Sequence, residues 1–384
     1  MHGGPGTFLH DSNSIGGLVN YVTKSPTAYR LAKLTVGNYG GEQYYLHADL
    51  GGPIDAEKRF RYRLNLMGQN GETAVKGNSL HRELYSFALD WNPTDNLLLN
   101  LHARRHIYRQ NGSPPYWNSA ATGYNWVPDP DQTYTQGYTG SDQEIDTYGG
   151  KLDWRINDIF SLRANYVKNV SQSDRKEGFA ARSYLFARDN IRQFLLYGGP
   201  SYYENKGGSV YLDAKVDTGP VKHTLVFGYA LTDYRSLATP TNPSARFLIV
   251  DNLTFDNYKI SRPDLPQPWI TGCRYKQNTG IREGFKIGDD IRFNEQWSLL
   301  VGASRSRLRQ ESFNADGSRG SKYDEAKVTP TVSLLYKPIP WLTAYGAYME
   351  QFELGTIVGS SYINEGEVFD PYVSKQYELG VKAN

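Results

Sequence analysis

The sequence has little cysteine and no long apolar run. Cys273 is the single cysteine among 384 residues, which excludes an internal disulfide and any cysteine-based zinc or iron–sulfur site. No window approaches the roughly 18 consecutive apolar residues that a membrane-spanning helix needs. If this chain crosses a membrane, it therefore crosses with strands.

An excess of one charge is also missing. The chain carries 42 Lys and Arg against 40 Asp and Glu, a formal net charge of +2, so nothing favours a nucleic-acid partner. His102 and His106 are the pair of histidines nearest in sequence, and on one strand they would lie about 13 Å apart, too far for one metal ion. No metal site is predicted.

Recognisable catalytic patterns are absent too. The sequence shows no Ser-His-Asp order, no Gly-rich phosphate loop and no paired carboxylates at the mouth of a strand. We therefore predict no catalytic residue and no enzyme activity. A barrel enzyme such as a lipase or protease would need a nucleophile and a base on neighbouring strands, and none is visible.

Tyrosine is abundant. The chain has 30 Tyr, 15 Phe and 7 Trp, although only 39% of its residues are hydrophobic. Rings with a polar tip suit surfaces that are half apolar and half wet, such as membrane-interface belts. A soluble or surface β protein that binds glycans through aromatic rings is the alternative that this composition leaves open.

Apolar and polar residues alternate along most of the chain. Residues 43–50 place apolar side chains at even positions and mostly polar ones at odd positions, and residues 85–91 and 160–166 alternate in the same way. A period of two is typical of a strand with one apolar and one wet face. The pattern predicts about fourteen strands. They lie near residues 28–37, 43–50, 61–66, 85–91, 97–104, 151–155, 160–166, 210–216, 223–235, 279–293, 297–309, 327–337, 342–352 and 374–383.

The connections between these strands alternate in length. Turn residues fill the short ones, at 51–58, 92–96, 157–158, 217–220, 294–296 and 337–340. Longer polar stretches lie at 68–82, 109–143, 171–208, 236–277, 310–326 and 353–373, and only the connection at 38–41 on that side is short. Short turns on one side and long loops on the other are typical of a bacterial outer-membrane barrel with periplasmic turns. The charged inner face predicts a wet lumen or a polar plug.

Two segments resemble a known family. The sequence SIGGLVNYVTKSP, residues 14–26, resembles the end of the plug domain of TonB-dependent outer-membrane receptors, where a Gly-rich turn precedes a strand reading roughly V-N-x-V-T-K. Residues 6–9 resemble the stretch just upstream, although His10 and Asp11 stand where the family has Tyr-Gly. Residues 371–382, PYVSKQYELGVK, are similar to the P-x-x-S-x-Q-Y-E-x-G-V-K strand of the siderophore-receptor branch. The motif residues with expected structural roles are Ser14, Gly16, Gly17, Asn20, Thr23 and Lys24.

The resemblance implies an all-β fold, a transmembrane antiparallel β-barrel. Residues 1–27 would be the C-terminal end of the plug domain and residues 28–384 part of the barrel. Because the family's barrel has about 22 strands, about eight strands and most of the plug would lie outside this chain. We therefore expect a fragment truncated at both ends, without signal peptide or TonB-binding box.

The resemblance also implies a function. The protein would be a receptor in the bacterial outer membrane that takes up ferric siderophores with energy delivered by the TonB complex. Iron would travel inside the ligand, so no cofactor is expected, and the partners would be siderophore, TonB complex and outer-membrane lipid. The alternative within the same architecture is a transporter of another scarce solute, such as cobalamin or an oligosaccharide.

Two sets of residues are candidates for the ligand site. Aromatic rings in the loop from Gln110 to Gly140 can stack on a siderophore, or can simply pack the loop or sit at the membrane interface. Basic lumen residues can attract an anionic complex, or can pair with carboxylates of the plug or barrel. The ring candidates are Tyr116, Trp117, Tyr124, Trp126 and Tyr134, and the basic candidates are Arg61, Arg63, Arg104 and Arg163.

Overall fold

The chain is all β in the part that its structure describes. All the regular elements there are strands, and no helix is long and apolar enough to cross a membrane. The computed structural model describes residues 21–112, 116–119, 129–173, 179–187, 190–197, 200–241, 247–260, 271–358, 361–364 and 366–383.

Fourteen strands form one antiparallel sheet in which each strand pairs with the next along the wall. Each of the fourteen predicted strands overlaps one of them, so the predicted barrel wall is confirmed. The strands are β1 (Leu31–Asn38), β2 (Tyr44–Pro53), β3 (Phe60–Glu72), β4 (Ser79–Thr94), β5 (Leu97–Asn111), β7 (Gly140–Arg155), β8 (Phe160–Ser173), β11 (Ser201–Thr218), β12 (Val221–Ala238), β14 (Tyr275–Arg292), β15 (Trp297–Phe313), β16 (Arg319–Ile339), β17 (Leu342–Glu353) and β18 (Tyr372–Ala383).

Strands β1 and β18 are the edges of this sheet. Each pairs with a described strand on one side only, so the fourteen strands form an open curved wall rather than a closed ring. Strand β1 begins at Leu31, a few residues after the proposed end of the plug. The division between plug and barrel at residue 27 stays a prediction.

The short turns are closed by side chains suited to them. Asn157 accepts hydrogen bonds from the backbone N–H groups of Ile159 and Phe160, at 2.9 and 2.7 Å. Between β11 and β12 the turn has only two residues, and Gly219 adopts a φ of 63°, a left-handed conformation that glycine reaches without strain. The turn residues in the sequence therefore fix where one strand ends and the next begins.

The strands extend further into the long loops than predicted. The predicted loops at 68–82 and 310–326 are wrong in length, because β3, β4, β15 and β16 continue and leave only residues 73–78 and 314–318 between strands. In these extensions neither face of the strand is uniformly apolar, so the ladder continues while the apolar alternation that marks a strand fades. The sequence pattern reports only the part of each strand that has one apolar face.

A second, four-stranded sheet lies in the three longest connections, where we expected no strands. Its strands are β6 (Tyr116–Ser119), β9 (Phe179–Ala187), β10 (Asn190–Tyr197) and β13 (Phe247–Leu253). Their order in the sheet is β13-β10-β9-β6, and β6 runs parallel to β9. Short apolar runs such as Phe194–Tyr197 and Phe247–Val250 indicate these strands in the sequence. Because the runs do not alternate with polar residues, they were predicted as parts of loops.

Candidate functional site

One face of the wall is apolar and is bounded by two rows of aromatic side chains. Near the short turns, Phe60 stacks on Trp91 with ring centroids 5.7 Å apart, and Trp297 stacks on Tyr336 at 4.3 Å. The register places both rows on the same face as the exposed aliphatic side chains. Two aromatic girdles around an apolar band are the outer surface of a membrane barrel. The lower row contains Phe60, Trp91, Trp154, Phe160, Trp297 and Tyr336, and the upper row contains Tyr44, Tyr85, Tyr148, Tyr166, Tyr229 and Phe285.

The opposite face, which lines the lumen, carries paired charges near the short turns. Asp49 accepts hydrogen bonds from Nε and Nη2 of Arg63 at 2.6 and 2.8 Å, and from Nζ of Lys24 at 2.6 Å. The Asp49 side chain is only 6% exposed. A buried carboxylate is stable there because two cations and several N–H donors surround it.

Two further basic candidates are paired in the same way. Arg61 lies 3.3 Å from Asp90, and Arg163 forms a bidentate pair with Asp213 at 2.7 and 2.9 Å. Arg61, Arg63 and Arg163 thus have barrel carboxylates as partners. This agrees with the second of the two roles considered for them from the sequence, pairing with carboxylates rather than attraction of an anionic ligand. These three side chains form ion pairs between strands of the wall.

Lys24 connects the segment before β1 to the wall. In addition to Asp49, its ammonium group donates to Oδ1 of Asn65 on β3 at 3.1 Å. Thr23 beside it is exposed. The other motif residues, Ser14, Gly16, Gly17 and Asn20, lie outside the described residues. The structural role of this motif as the end of a plug stays a prediction.

Higher on the lumen face, two arginines have no carboxylate partner in the described part of the chain. Arg104 on β5 donates to Oγ1 of Thr147 at 3.3 Å, and Arg82 on β4 makes a weak contact with Oε1 of Gln69 at 3.5 Å. Nε of Arg82 is buried without a hydrogen-bond partner. We call Arg82, Arg104 and the two histidines on either side of Arg104 on the lumen face of β5, His102 and His106, the basic mouth.

Several described neighbours of the basic mouth are polar but uncharged. Neighbouring lumen-facing positions on β3, β7 and β8 carry amide and hydroxyl groups. These residues are Gln69, Gln143, Thr147, Asn169 and Ser171. None of these neighbours neutralises the positive charge, and a walled cleft with low-dielectric sides concentrates the electrostatic potential on anything that enters.

The histidines do not form a metal centre. His102 and His106 share β5 and its lumen face, as the sequence predicted, and Nδ1 of His102 lies 3.2 Å from Oδ1 of Asn100. Within the described ranges no group of three His, Cys, Asp or Glu side chains could hold a metal ion. The mouth can bind anions through donors, but it offers no cage of metal ligands.

Tyr134 is the one aromatic loop candidate whose side chain the structure describes. It is 6% exposed and packs in a small core with Ile191, Leu253 and Tyr258. Burial raises the pKa of its phenol. This position agrees with the alternative that these rings pack the loops. Tyr116 and Trp117 lie on β6, whose backbone alone is described, and Tyr124 and Trp126 lie outside the described residues.

Two buried glutamines, which sequence reasoning missed, join the loops. Gln136 is 1% exposed and Gln193 is 0% exposed. Nε2 of Gln136 donates to the carbonyl oxygen of Tyr258 at 2.6 Å and to Oε1 of Gln193 at 3.0 Å. Its Oε1 accepts from the backbone N–H of Ile260 at 2.9 Å. One amide therefore connects three separate loops, and an isolated Gln in a polar loop gives no sequence signal for this.

A sheet with two aromatic girdles, a charged lumen and structured loops on one side defines an outer-membrane β-barrel of the receptor and transporter class. Residues 90–384 match the family model described as TonB dependent receptor-like, beta-barrel, and the chain belongs to that family. The family consists of receptors and transporters rather than enzymes, and its members lie in the outer membrane of Gram-negative bacteria. The hypothesis of a soluble glycan-binding protein is wrong.

Curated relatives can be aligned with nearly the whole chain. The chain is 25% identical over 401 residues to the metal-pseudopaline receptor CntO of Pseudomonas aeruginosa UCBPP-PA14, covering 99% of this chain and 53% of that protein. It is 23% identical over 420 residues to the ferrichrome outer membrane transporter/phage receptor of Escherichia coli K12, again covering 99% and 53%. The chain thus spans about half the length of the curated relatives it matches.

Solved structures show the same fold. The ferric preacinetobactin receptor BauA of Acinetobacter baumannii matches with a TM-score of 0.81 at 21% identity, covering 100% of this chain and 56% of that one. The ferripyoverdine receptor of Pseudomonas aeruginosa matches with a TM-score of 0.81 at 14% identity, covering 99% and 49%. At these identities the likeness concerns the fold alone.

Proposed function

We propose that this protein is an outer-membrane receptor that takes up ferric siderophores, with the basic mouth as part of its ligand path. The family and the names of its relatives support the class of cargo. The single observation that carries the proposal is that Arg82 and Arg104 face the lumen without a described carboxylate partner. Every other basic candidate named above is neutralised by the wall.

The chemistry of the cargo fits these arginines. Siderophores bind iron through hard oxygen donors, and many ferric complexes carry net negative charge. A guanidinium group offers several N–H donors in a fixed fork that matches carboxylate and similar oxygen pairs. Iron remains within the ligand, so the receptor needs no resident metal or cofactor. In this proposal Tyr116 and Trp117, carried by β6, stay the candidates for stacking on the ligand.

Energy for release would come from the TonB complex. In the proposed mechanism TonB acts on the plug, and the plug moves away from the wall to open the lumen. In this proposal the movement of the plug would break the contacts of Lys24, whose ammonium group binds Asp49 and Asn65 of the wall. Outer-membrane lipid is the remaining expected partner, and no nucleic acid is expected.

Deletion of the gene followed by uptake of radiolabelled iron from a panel of ferric siderophores tests this function. We expect uptake from at least one siderophore to be lost while uptake of cobalamin and oligosaccharides is unchanged. Loss of cobalamin or oligosaccharide uptake instead would overturn the siderophore assignment and favour the other transporter hypothesis.

Substitutions in the chromosomal gene then test the basic mouth. Arg82→Gln and Arg104→Gln should each raise the half-saturating concentration of the ferric siderophore about tenfold, since a hydrogen bond to a charged group contributes about 1.5 kcal/mol or more. Arg155→Gln, a lumen-facing change at the turn end of β7, is the matched control and should leave uptake unchanged. If all three variants take up iron like the parent, the mouth does not bind the cargo.

A further inference from the structure

Charge on the lumen face is separated by height along the wall. On β2, β4 and β7 the lumen-facing acid of each strand lies five positions toward the short turns from the girdle tyrosine of that strand, about 16 Å along the strand. Each of these carboxylates already has a basic partner in the wall. The acids are Asp49, Asp90 and Asp153, and the tyrosines are Tyr44, Tyr85 and Tyr148.

The basic mouth lies above this level. Arg82 is three positions toward the long loops from Tyr85, and Arg104 stands opposite Ser86, the neighbour of Tyr85. From here to the upper ends of their ladders, the described lumen-facing positions of β3, β4, β5, β7 and β8 carry no carboxylate. Acidic charge is therefore low in this part of the lumen and paired, whereas the basic charge above it has no carboxylate partner among the described residues.

The two arginines have donors that the wall does not use. A guanidinium group has five N–H donors. Arg104 uses one on the hydroxyl group of Thr147 at 3.3 Å, and Nε of Arg82 is buried with no hydrogen-bond partner. Because the register partner of Arg104 lies four positions from Arg82, the two backbone sites are about 13 Å apart along the strand. A chelate that binds both guanidinium groups must therefore carry acceptor groups on two parts of its surface.

This arrangement discriminates between ferric chelates by charge and by the position of that charge. A carboxylate that is not bound to iron presents two oxygen atoms in one plane, which match the parallel N–H groups of a guanidinium fork. A ferric complex of three hydroxamates is neutral, and a free amine makes it cationic, so the positive potential of the mouth does not attract the first and repels the second. A tris-catecholate complex is anionic, but iron binds all of its anionic oxygen atoms.

We propose that the cargo is a ferric chelate of a polycarboxylate, with net negative charge and with carboxylates that iron leaves free to bind Arg82 and Arg104. His102 and His106, on either side of Arg104 on the same face, supply further N–H donors. Neutral and cationic hydroxamate chelates are excluded by the same mouth. This inference rests on the proposed siderophore function and adds the chemical class of the cargo.

Uptake of radiolabelled iron tests this class of cargo by comparison of the parent with the gene deletion, in a strain that makes no siderophore of its own. The probes are the ferric complexes of citrate and citrate-based polycarboxylates, a neutral trihydroxamate, a trihydroxamate with a free amine, and a tris-catecholate. We expect the deletion to lower uptake of polycarboxylate complexes only. If uptake of a hydroxamate or catecholate complex falls instead, the siderophore function stands and this inference is overturned. If uptake of none of them falls, the proposed function fails, and this inference fails with it.

Charge reversal locates the selectivity at Arg104. Arg104→Gln should raise the half-saturating concentration of the polycarboxylate complex about tenfold and Arg104→Glu about a hundredfold, because the second change adds repulsion to the lost hydrogen bond. A loss of packing alone would affect both variants equally. Arg155→Glu, which reverses a charge at the turn end of β7, is the matched control and should behave like the parent. Equal half-saturating concentrations for the two Arg104 variants would overturn the proposal.

The salt dependence of uptake gives a second measurement for the case that Arg104→Glu does not reach the membrane. Raising the ionic strength from about 0.01 M to about 0.1 M shortens the Debye length from about 30 Å to about 10 Å. In the parent, with osmolarity held constant by sucrose, the half-saturating concentration of the polycarboxylate complex should rise several-fold. An unchanged value would show that the mouth does not attract its cargo by charge and would overturn the proposal.

Discussion

The ring of Tyr211 on β11 occupies the space beside Gly228, its register partner on β12. A Cβ atom at Gly228 would lie 2.4 Å from the Tyr211 ring. The same arrangement recurs on the lumen face in three other directly opposed pairs, where glycine leaves room for a ring to lie against the wall. Those pairs are Tyr45 with Gly37, His102 with Gly149, and Tyr345 with Gly380.

Replacement of Gly228 by alanine tests this packing. Gly228→Ala forces the Tyr211 ring away from the wall, and we expect it to lower the free energy of unfolding by about 1–3 kcal/mol, as overpacking does. Urea unfolding in detergent, followed by tryptophan fluorescence, measures the change. Gly207→Ala on β11 is the control, because a Cβ there meets nothing closer than 3.7 Å. Equal destabilisation by both substitutions would contradict the packing argument.

Two lumen ion pairs should differ in their contribution to stability. Asp49→Asn leaves Arg63, whose side chain is 14% exposed, without its countercharge, so we expect a loss of about 3 kcal/mol or more. Asp213→Asn leaves Arg163, whose side chain is 52% exposed, and water can solvate it, so the loss should be about 1 kcal/mol or less. Unfolding of both variants under one set of conditions gives the comparison, and losses of equal size would speak against burial as the cause.

The barrel wall could be predicted from sequence because lipid enforces a simple rule. A strand in contact with lipid on one face and with a wet lumen on the other must alternate, and all fourteen wall strands carry that signal. The rule stops at the upper girdle. Above Tyr85, for example, His81 on β4 still pairs with β3, but neither face is uniformly apolar there, so pattern alone assigned it to a loop.

The candidate site was only partly predictable for a related reason. Arg104 was identified as a lumen residue, but the strand pairing is what places Arg82, opposite Tyr108, on the same face of the neighbouring strand and leaves both without a described carboxylate. Arg61 and Arg163 carry the same local pattern as Arg104, yet Asp90 and Asp213 neutralise them from neighbouring strands. The register between two strands decides which carboxylate lies beside an arginine. The alternation of residues within one strand does not reveal that register.

The turn between β2 and β3 should respond to acid through Asp55. Its carboxylate accepts hydrogen bonds from the backbone N–H groups of Phe60 at 2.7 Å and Arg59 at 3.1 Å. The Phe60 bond is the main cause that holds the pKa of Asp55 below its ordinary value of 3.8. Because the folded-state pKa is the lower one, this stabilisation is present above pH 3.8 and is lost as the pH falls through the lowered pKa.

NMR of the protein in detergent checks this acid response. The amide proton of Phe60 should shift as Asp55 gains its proton, and its exchange with solvent should accelerate at the same pH. Asp55→Asn removes the titrating group, so its Phe60 amide should show no such shift. A parent-like acid titration of Phe60 in that variant would assign the effect to another group.

The three longest loops should lose their common order when Gln136 is replaced. Gln136→Leu leaves Oε1 of Gln193, the carbonyl oxygen of Tyr258 and the N–H of Ile260 without their partner in a buried site, at about 1–3 kcal/mol for each group. Hydrogen exchange read by mass spectrometry should therefore rise across residues 190–197 and 247–260 together, while β2 to β5 exchange at the parental rate. Gln296→Leu, at an exposed position in the short turn between β14 and β15, is the control. Faster exchange in only one of the three loops would show that they order independently and that Gln136 does not join them.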